Sequence, residues 1–180
     1  LARGIGRHER MLEMEDGHTL SDVRSNAEEM VTWYLSEGRT AVESGLAPLT
    51  VAEGADAGCR LLRDAGIEIA IVSVTWMFAV EHFAKRFAAT HYVGSGLNWR
   101  TGEIDYFVAA CKGPWLKRMI SEKGYDREQV VAVGDSPTDF GLFDAAGGAF
   151  YVGDTDPVID GVQHRPGANI RHLVEEILSS

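Results

Sequence analysis

The sequence has no excess of basic residues, no long apolar run and only two cysteines. Lysine and arginine total 17 against 27 acidic residues, so the formal net charge is −10 at pH 7. That charge argues against nucleic-acid binding through a basic face. No apolar run approaches the roughly 20 residues of a membrane span, and no secretory leader is visible. These absences favour a cytoplasmic protein with neither nucleic acid nor membrane as a partner.

The cysteines, Cys59 and Cys111, fit no metal-ligand spacing. We expect reduced, partly buried thiols in a reducing compartment, with a disulfide between them as the less favoured alternative. The length of 180 residues and a hydrophobic content of 45% suit one good core with a small attached module.

The chain changes character at Pro48. The preceding stretch is polar and helix-prone, whereas strands and helices alternate afterwards, which is typical of a parallel sheet with helical crossovers. We therefore predict a Rossmann-like α/β fold, with helices on both faces of the sheet, and two domains: a helical cap (1–45) and an α/β core (46–180). In the core we predict a capping box at Thr50-x-x-Glu53, helices over 76–87, 112–123, 138–146 and 169–178, strands over 67–73, 91–93, 130–133 and 149–152, and a hairpin over 97–108 with NWRTG as its turn.

The segment VVAVGDSPTD, residues 130–139, carries the strongest local signal. Its apolar start predicts a strand buried on both faces. Asp135 and Asp139 follow it, and they would be adjacent if Ser136 caps a helix with Pro137 at its first position. Two close carboxylates repel unless a cation lies between them, which indicates an oxygen-liganded Mg²⁺. The alternative is an ordinary strand–turn–helix joint with solvated acids.

Three predicted strand or hairpin ends carry polar side chains. Ser73 ends one strand, Lys112 opens a helix after the hairpin, and Asp135 follows the last of the three. Since parallel strands share one carboxyl edge, we expect the three to converge there. The Ser73 hydroxyl, the Val74 backbone N–H and the Lys112 charge would then bind a phosphate. Singly, each has an ordinary alternative: a turn serine, a solvated lysine.

These residues resemble motifs of the haloacid dehalogenase superfamily. Ser73 after IEIAIV resembles its second motif, Lys112-Gly113 its third, and GDSPTD at 134–139 its fourth. The passages leading to Ser73 and Lys112 are similar to those of the phosphoserine-phosphatase-like subgroup. The resemblance runs from Leu46 to about Pro157, which makes residues 1–45 the counterpart of a small helical cap.

The resemblance implies a Mg²⁺-dependent phosphatase that acts through an aspartyl-phosphate. It makes Ser73 and Lys112 the groups that bind and orient the phosphoryl group, Asp135 a metal ligand, and Asp139 a metal ligand or a support for the metal. Thr138 stands where relatives often carry Asn. The lower-ranked candidates for substrate contact are Thr75, Ser136 and Thr138.

The family's first motif, an Asp nucleophile in DxDxT/S after a central buried strand, has no clear match. Met14–Leu20, MEDGHTL, is the nearest string, but the charged residues before it do not suit a central strand, so we interpret Asp16 as a decoy. The chain begins with Leu1 rather than Met, and we expect a preceding segment to carry the motif. A naturally inactive protein, or a strand from a second copy or another segment, are the alternatives.

The leading hypothesis is a Mg²⁺-dependent hydrolase of small phosphomonoesters, with phosphoserine-like compounds among its candidate substrates. Without the first-motif Asp, the chain alone should form no aspartyl-phosphate. The alternatives are a non-catalytic phosphate- or metal-binding pseudoenzyme or interaction module, and a receiver-like signalling domain. The last is disfavoured because its phosphoacceptor also needs a strand that this sequence lacks.

Overall fold

The computed structural model of the chain describes residues 20–106 and 111–179, which fall into two compact units. The first unit contains the described residues of Leu1–Val108 together with Asn169–Ser180, and the second contains those of Ala109–Ala168. The elements in the described ranges are α1 (Leu20–Leu46), α2 (Ala55–Asp64), β1 (Ala70–Trp76), α3 (Met77–Phe87), β2 (His91–Leu97), β3 (Ile104–Tyr106), α4 (Lys112–Lys123), a 3₁₀ turn (Arg127–Gln129), β4 (Val131–Gly134), a second 3₁₀ turn (Pro137–Asp139), α5 (Phe140–Ala145), β5 (Gly148–Tyr151), β6 (Val162–His164) and α6 (Ile170–Ser179).

The sheet of the first unit has the order β1-β2-β3. β1 and β2 are parallel, with Ala70 opposite His91, and α3 is the crossover between them. β2 and β3 are antiparallel, with Leu97 opposite Ile104. The predicted hairpin is therefore confirmed as far as Tyr106, and its last two residues lie outside the described residues. Its turn is closed by Asn98, whose side-chain oxygen accepts the backbone N–H groups of Arg100 and Thr101.

The long helix α1 is interrupted at Gly38, where φ is 80° and ψ is 168°. In a continuous helix Trp33 and Gly45 would be roughly 18 Å apart along the axis. Here a Cβ added to Gly45 would lie 3.3 Å from the Trp33 ring. The chain therefore turns back at Gly38, and α1 is two packed helical segments.

α1 packs on the hairpin through a small apolar cluster. Ala27 and Val31 from α1 and Leu97 from β2 are buried in it. The Trp76 indole N–H, at the end of β1, donates a hydrogen bond of 3.0 Å to the side-chain oxygen of Asn26. The apolar side chains of α1 in this cluster are thus packed against the sheet of their own unit.

The predicted capping box at Thr50 is wrong, because α2 begins four residues later than that prediction requires. Its N-cap is Gly54, in the left-handed region at φ 80°, and no side chain caps the helix. Glu53 is engaged elsewhere: its carboxylate accepts from the Asn169 side-chain amide and its carbonyl from the Ile170 N–H. Packing of α6 against α2 therefore overrides the local capping signal.

The second unit contains an all-parallel sheet in the order β4-β5-β6. Ala132 lies opposite Ala149 and Phe150 opposite Gln163. β6 was not predicted, and its three residues are too few for a periodic pattern. The parallel pairings confirm the predicted α/β class, with α3 as the crossover between β1 and β2 and α5 as the crossover between β4 and β5.

The strand predicted over 130–133 is displaced by one residue and is not buried on both faces in the described structure. Ala132 is buried, but Val131 and Val133 on the opposite face are each 40% exposed. An apolar run cannot distinguish a strand covered twice from one covered once.

No helix in the described ranges is both long enough and apolar enough to cross a bilayer. The predicted division into 1–45 and 46–180 stays a prediction.

Candidate active site

The loop after β4 is built as predicted around Ser136 and Pro137. Ser136 is the N-cap of the short 3₁₀ helix and Pro137 occupies its first position. The Ser136 side chain accepts the N–H of Asp139, and the Asp139 carboxylate accepts the N–H of Ser136, which forms a capping box. These reciprocal hydrogen bonds hold Asp139 next to Gly134, the last residue of β4.

The carboxylate of Asp139 is the centre of this loop. Its Oδ2 accepts the backbone N–H groups of Asp135 at 3.1 Å and Ser136 at 3.2 Å. A Cβ on Gly134 would lie 2.5 Å from the Asp139 Cβ and Cγ, so only glycine fits there. The strand must end in glycine for the carboxylate to reach the loop.

Lys112, the first residue of α4, completes a buried ion pair with Asp139. Its ammonium lies 2.7 Å from Asp139 Oδ1, and the two side chains are only 6% and 7% exposed. Removing one member of such a pair leaves the other charge buried without a partner, which typically lowers the free energy of unfolding by about 3–5 kcal/mol. The pairing therefore depends on a hydrogen-bond network that satisfies both charges.

Two hydroxyls complete that network. The ammonium donates to Thr138 Oγ1 at 2.9 Å, and Thr138 Oγ1 lies 2.6 Å from Ser136 Oγ. Because the ammonium is only a donor, the Thr138 hydrogen is available for Ser136, and the Ser136 hydroxyl faces Asp139 Oδ2 at 3.4 Å. We call these four residues, Lys112, Ser136, Thr138 and Asp139, the lysine ring. Sequence reasoning placed Ser136 and Thr138 as substrate contacts and missed this role.

The lysine ring depends on a close approach of two helices. A Cβ on Gly113 in α4 would lie 2.5 Å from the carbonyl oxygen of Gly141 in α5. The two backbones touch at this point, which brings Lys112 onto the residues that precede α5. A glycine directly after the lysine was the sequence signal for this contact.

The ring leaves two groups available for a ligand. The ammonium of Lys112 has three N–H donors, and two are used within the described residues. Asp135 is exposed, and its carboxylate makes no hydrogen bond or ion pair with any residue that the structure describes. Asp139 Oδ1 is paired with Lys112, and metal ligation by Asp135 and Asp139 stays a prediction.

Ser73 lies within β1 rather than at the end of a strand, which corrects the prediction of a strand over 67–73. The N–H of Ile67 donates to the carbonyl of Leu62 and so still belongs to the end of α2. β1 extends to Trp76, but its regular pairing with β2 breaks after Val72. Ser73 is therefore the first residue of an irregular segment in the ladder.

The other predicted phosphate contacts of the first unit adjoin Ser73. The Ser73 Oγ accepts the N–H of Thr75 at 3.3 Å. The carbonyl of Val74 accepts the hydroxyl of the fully buried Ser95 at 2.6 Å. Thr75 is exposed. These residues belong to the first unit and the lysine ring to the second, so their convergence stays a prediction.

Both cysteines are reduced thiols and half-buried, as expected. Burial raises the pKa of Cys59 and of Cys111 above the usual value. Each thiol is therefore protonated at neutral pH, which argues against either as a nucleophile.

Comparison with known proteins decides the family. The model of the haloacid dehalogenase-like hydrolases matches residues 9–144, which include Ser73 and the lysine ring. The chain belongs to this family. The matched range also includes Met14–Leu20, of which residues 14–19 lie outside the described residues, so the interpretation of Asp16 stays a prediction.

Relatives agree with that assignment. The chain is 27% identical over 112 residues to a phosphoserine phosphatase of Methanocaldococcus jannaschii, a match covering 59% of this chain and about half (53%) of the relative. A phosphoserine phosphatase structure in the apo form superimposes with a TM-score of 0.69 at 20% identity, covering 97% of this chain and 88% of the other. A family hydrolase from Salmonella enterica serovar Typhi gives a TM-score of 0.72 at 16% identity, covering 96% and 62%. At these identities the two structures show the shared fold.

Proposed function

We propose that this protein is a Mg²⁺-dependent phosphomonoester hydrolase acting on a small phosphorylated metabolite. The observation that carries the proposal is a buried ammonium, held by Asp139, in the same loop region as the exposed carboxylate of Asp135. A fixed cation and an open carboxylate at the end of a parallel strand suit a phosphate and its metal.

Lys112 is proposed to bind a phosphoryl oxygen through its remaining N–H. A buried lysine is held as a point charge in a poorly solvated setting, where its attraction for a phosphate is stronger than in water. Asp139 and Thr138 would orient the ammonium. We propose that the Ser73 hydroxyl and the Val74 N–H contribute to phosphoryl binding, as the family resemblance implies.

Asp135 is proposed as the ligand that this chain offers to Mg²⁺. No group of three or more His, Cys, Asp or Glu side chains with metal-binding geometry occurs among the described residues. One open carboxylate still fits Mg²⁺, which usually keeps several waters and takes one or two carboxylates together with substrate phosphate. When bound, the ion would offset the negative charge of the phosphoryl oxygens.

The proposed substrate class is a small phosphorylated metabolite, with phosphoserine-like compounds tested first because of the relatives described above. The hydroxyls of Ser136 and Thr138 are hydrogen-bonded within the lysine ring, so we assign these two residues a positioning role. Thr75, exposed next to Val74, stays a candidate for substrate contact.

The test is hydrolysis of p-nitrophenyl phosphate and phosphoserine by the full-length protein, with and without Mg²⁺. We expect Asp135→Asn to lower kcat/KM on the order of 10²–10³-fold, the range for loss of one preorganised electrostatic contact. Mg²⁺ binding, measured by calorimetry, should weaken in the same variant.

The matched control is Asp144→Asn, which neutralises an exposed carboxylate of α5 in the same unit. Equal activity and equal Mg²⁺ affinity in the two variants would refute the role of Asp135. A protein that binds Mg²⁺ and phosphate without turnover would be a non-catalytic binding module instead.

A further inference from the structure

A second candidate binding site lies in the first unit, on elements that the proposed chemistry does not use. It is an open cavity of about 360 Å³ between α2 and the last turn of α3. Three arginines dominate its wall. The residues lining it are Asp56, Cys59, Arg60, Arg63, Arg86 and Phe87.

The α2 wall of the cavity follows from helical spacing. Cys59, Arg60 and Arg63 follow Asp56 at three, four and seven positions, which places all four on one face of the helix. The guanidinium groups of Arg60 and Arg63 therefore project from the same side as the thiol.

Arg86 is held in place from the other helix. Its Nε donates to Asp56 Oδ1 at 2.9 Å and its Nη2 to Asp56 Oδ2 at 2.7 Å, a bidentate pair. Its guanidinium carbon lies 5.7 Å from the centroid of the Phe87 ring. Asp56 thus forms its hydrogen-bonded ion pair with Arg86, and its interaction with Arg60 is a longer-range attraction without a hydrogen bond.

Arg60 and Arg63 have no such partner. Both are exposed, and neither forms a hydrogen bond or ion pair with a residue in the described ranges. Three guanidinium groups therefore face one carboxylate, in a chain whose net charge is −10. Two unpaired cations three residues apart on a helix repel each other slightly unless an anion bridges them.

We propose that this cavity binds a small polyanion carrying at least two phosphate or carboxylate groups. A guanidinium group can form two parallel hydrogen bonds to a phosphate or to a carboxylate. Because Arg60 and Arg63 are both unpaired, a ligand with two anionic groups could pair with both. The cavity lies at the small end of the roughly 300–1,000 Å³ usual for small-molecule sites. The acidic surface of the whole chain disfavours nucleic acid as the occupant.

This site is separate from the proposed phosphoryl contacts of the same unit. The residues that line the cavity include none of the proposed phosphoryl contacts Ser73, Val74 and Lys112. The proposal therefore does not rest on the hydrolase assignment and can be tested without turnover.

Cys59 provides a local readout. In Mg²⁺-free buffer at mildly alkaline pH, the intact protein is alkylated with iodoacetamide and the modification of each cysteine is followed by peptide mass mapping. Pyrophosphate and citrate are added in separate arms, which distinguish phosphate from carboxylate ligands. At ten times its Kd, a bound anion that shields the thiol should slow modification of Cys59 about tenfold.

Cys111, next to Lys112, is the internal reference. Protection of Cys111 without protection of Cys59 would place the anion at the lysine ring and overturn the proposal. The absence of protection at Cys59 by either anion, with no binding detected by calorimetry, would overturn it as well.

The decisive variant is Arg60→Ala/Arg63→Ala, which removes two exposed side chains and leaves the Arg86–Asp56 pair intact. Protection of Cys59, compared with and without anion in the same variant, should disappear. Arg100→Ala/Arg118→Ala removes the same charge at exposed positions outside the cavity and should retain protection. Equal loss in both double variants would mean a general charge effect and no site.

Discussion

Lys112 shows at the scale of one residue what the sequence could and could not reveal. A lysine at a helix N-terminus is unfavourable with the helix dipole, so the position of Lys112 needs a reason. The sequence could not show that Asp139 would pair with this lysine, because the two residues are 27 apart, with the rest of α4 and the whole of β4 between them. Burial of both side chains then makes the pair sensitive to every group that completes its hydrogen bonds.

Thr138→Val tests that sensitivity. Valine keeps the shape but removes the hydroxyl, so the buried ammonium loses one of two acceptors in the described chain. We expect the free energy of unfolding, measured in urea, to fall by about 1–3 kcal/mol. In a phosphatase assay kcat/KM should fall as well, because the ammonium is less well oriented.

The control for this substitution is Thr32→Val, whose exposed hydroxyl only donates to a carbonyl one turn earlier in α1. It should change the stability by less than about 0.5 kcal/mol. If Thr138→Val were as mild as the control, the hydroxyls would not support the buried pair.

At the scale of elements, local signals succeeded where packing agreed with them. α4 begins at Lys112 and ends before Gly124, which adopts φ 70°, as predicted. The predicted start of α2 was wrong because the Glu53 carboxylate is hydrogen-bonded to Asn169, directly before α6. β6 was not predicted because it forms only by pairing with β5. The periodicity of a sequence predicts single elements, but it does not predict the contacts between segments that are distant along the chain.

Gly113→Ala tests the packing of α4 on α5. In an unhindered helix interior this substitution stabilises by about 1 kcal/mol. Here the new Cβ would lie 2.5 Å from the Gly141 carbonyl oxygen, so the helices must separate at a cost of about 1–3 kcal/mol. We expect a net loss of stability in urea denaturation, so the sign of the change is diagnostic.

Ser121→Ala, at an exposed position of the same helix, gives the background effect of an alanine in α4. A stabilised Gly113→Ala protein would contradict the close contact. It would also remove the reason that Lys112 reaches Asp139.

At the scale of the whole molecule, alternating strands and helices were enough to predict the α/β class, and the motif-like stretches were enough to predict the family. The site was predicted as a set of residue types at strand ends. Its internal connections were not, since Ser136 and Thr138 act on Lys112 through side-chain geometry.

The net charge of −10 also leads to a prediction for the whole molecule. Repulsion among surface carboxylates opposes folding and is screened by salt. Near neutral pH, raising NaCl from about 0.02 M to about 0.3 M, where the Debye length drops well below 10 Å, should raise Tm by roughly 2–4 °C. Differential scanning fluorimetry would measure the shift.

The same titration at the isoelectric point, near pH 5.0, is the control. Repulsion is then small, and the increase in Tm should largely vanish. An equal increase at both pH values would identify a general salt effect on apolar burial instead.

The break at Gly38 has a consequence for how this protein can be engineered. A Cβ at this position would meet no atom within 4 Å, and the helical hydrogen-bond ladder is already interrupted there. A short peptide tag or a spectroscopic probe placed between the two segments of α1 would sever no helical turn. Trp33 on one side and Gly45 on the other would still hold the segments together, and the tryptophan would report by its fluorescence whether they remain docked.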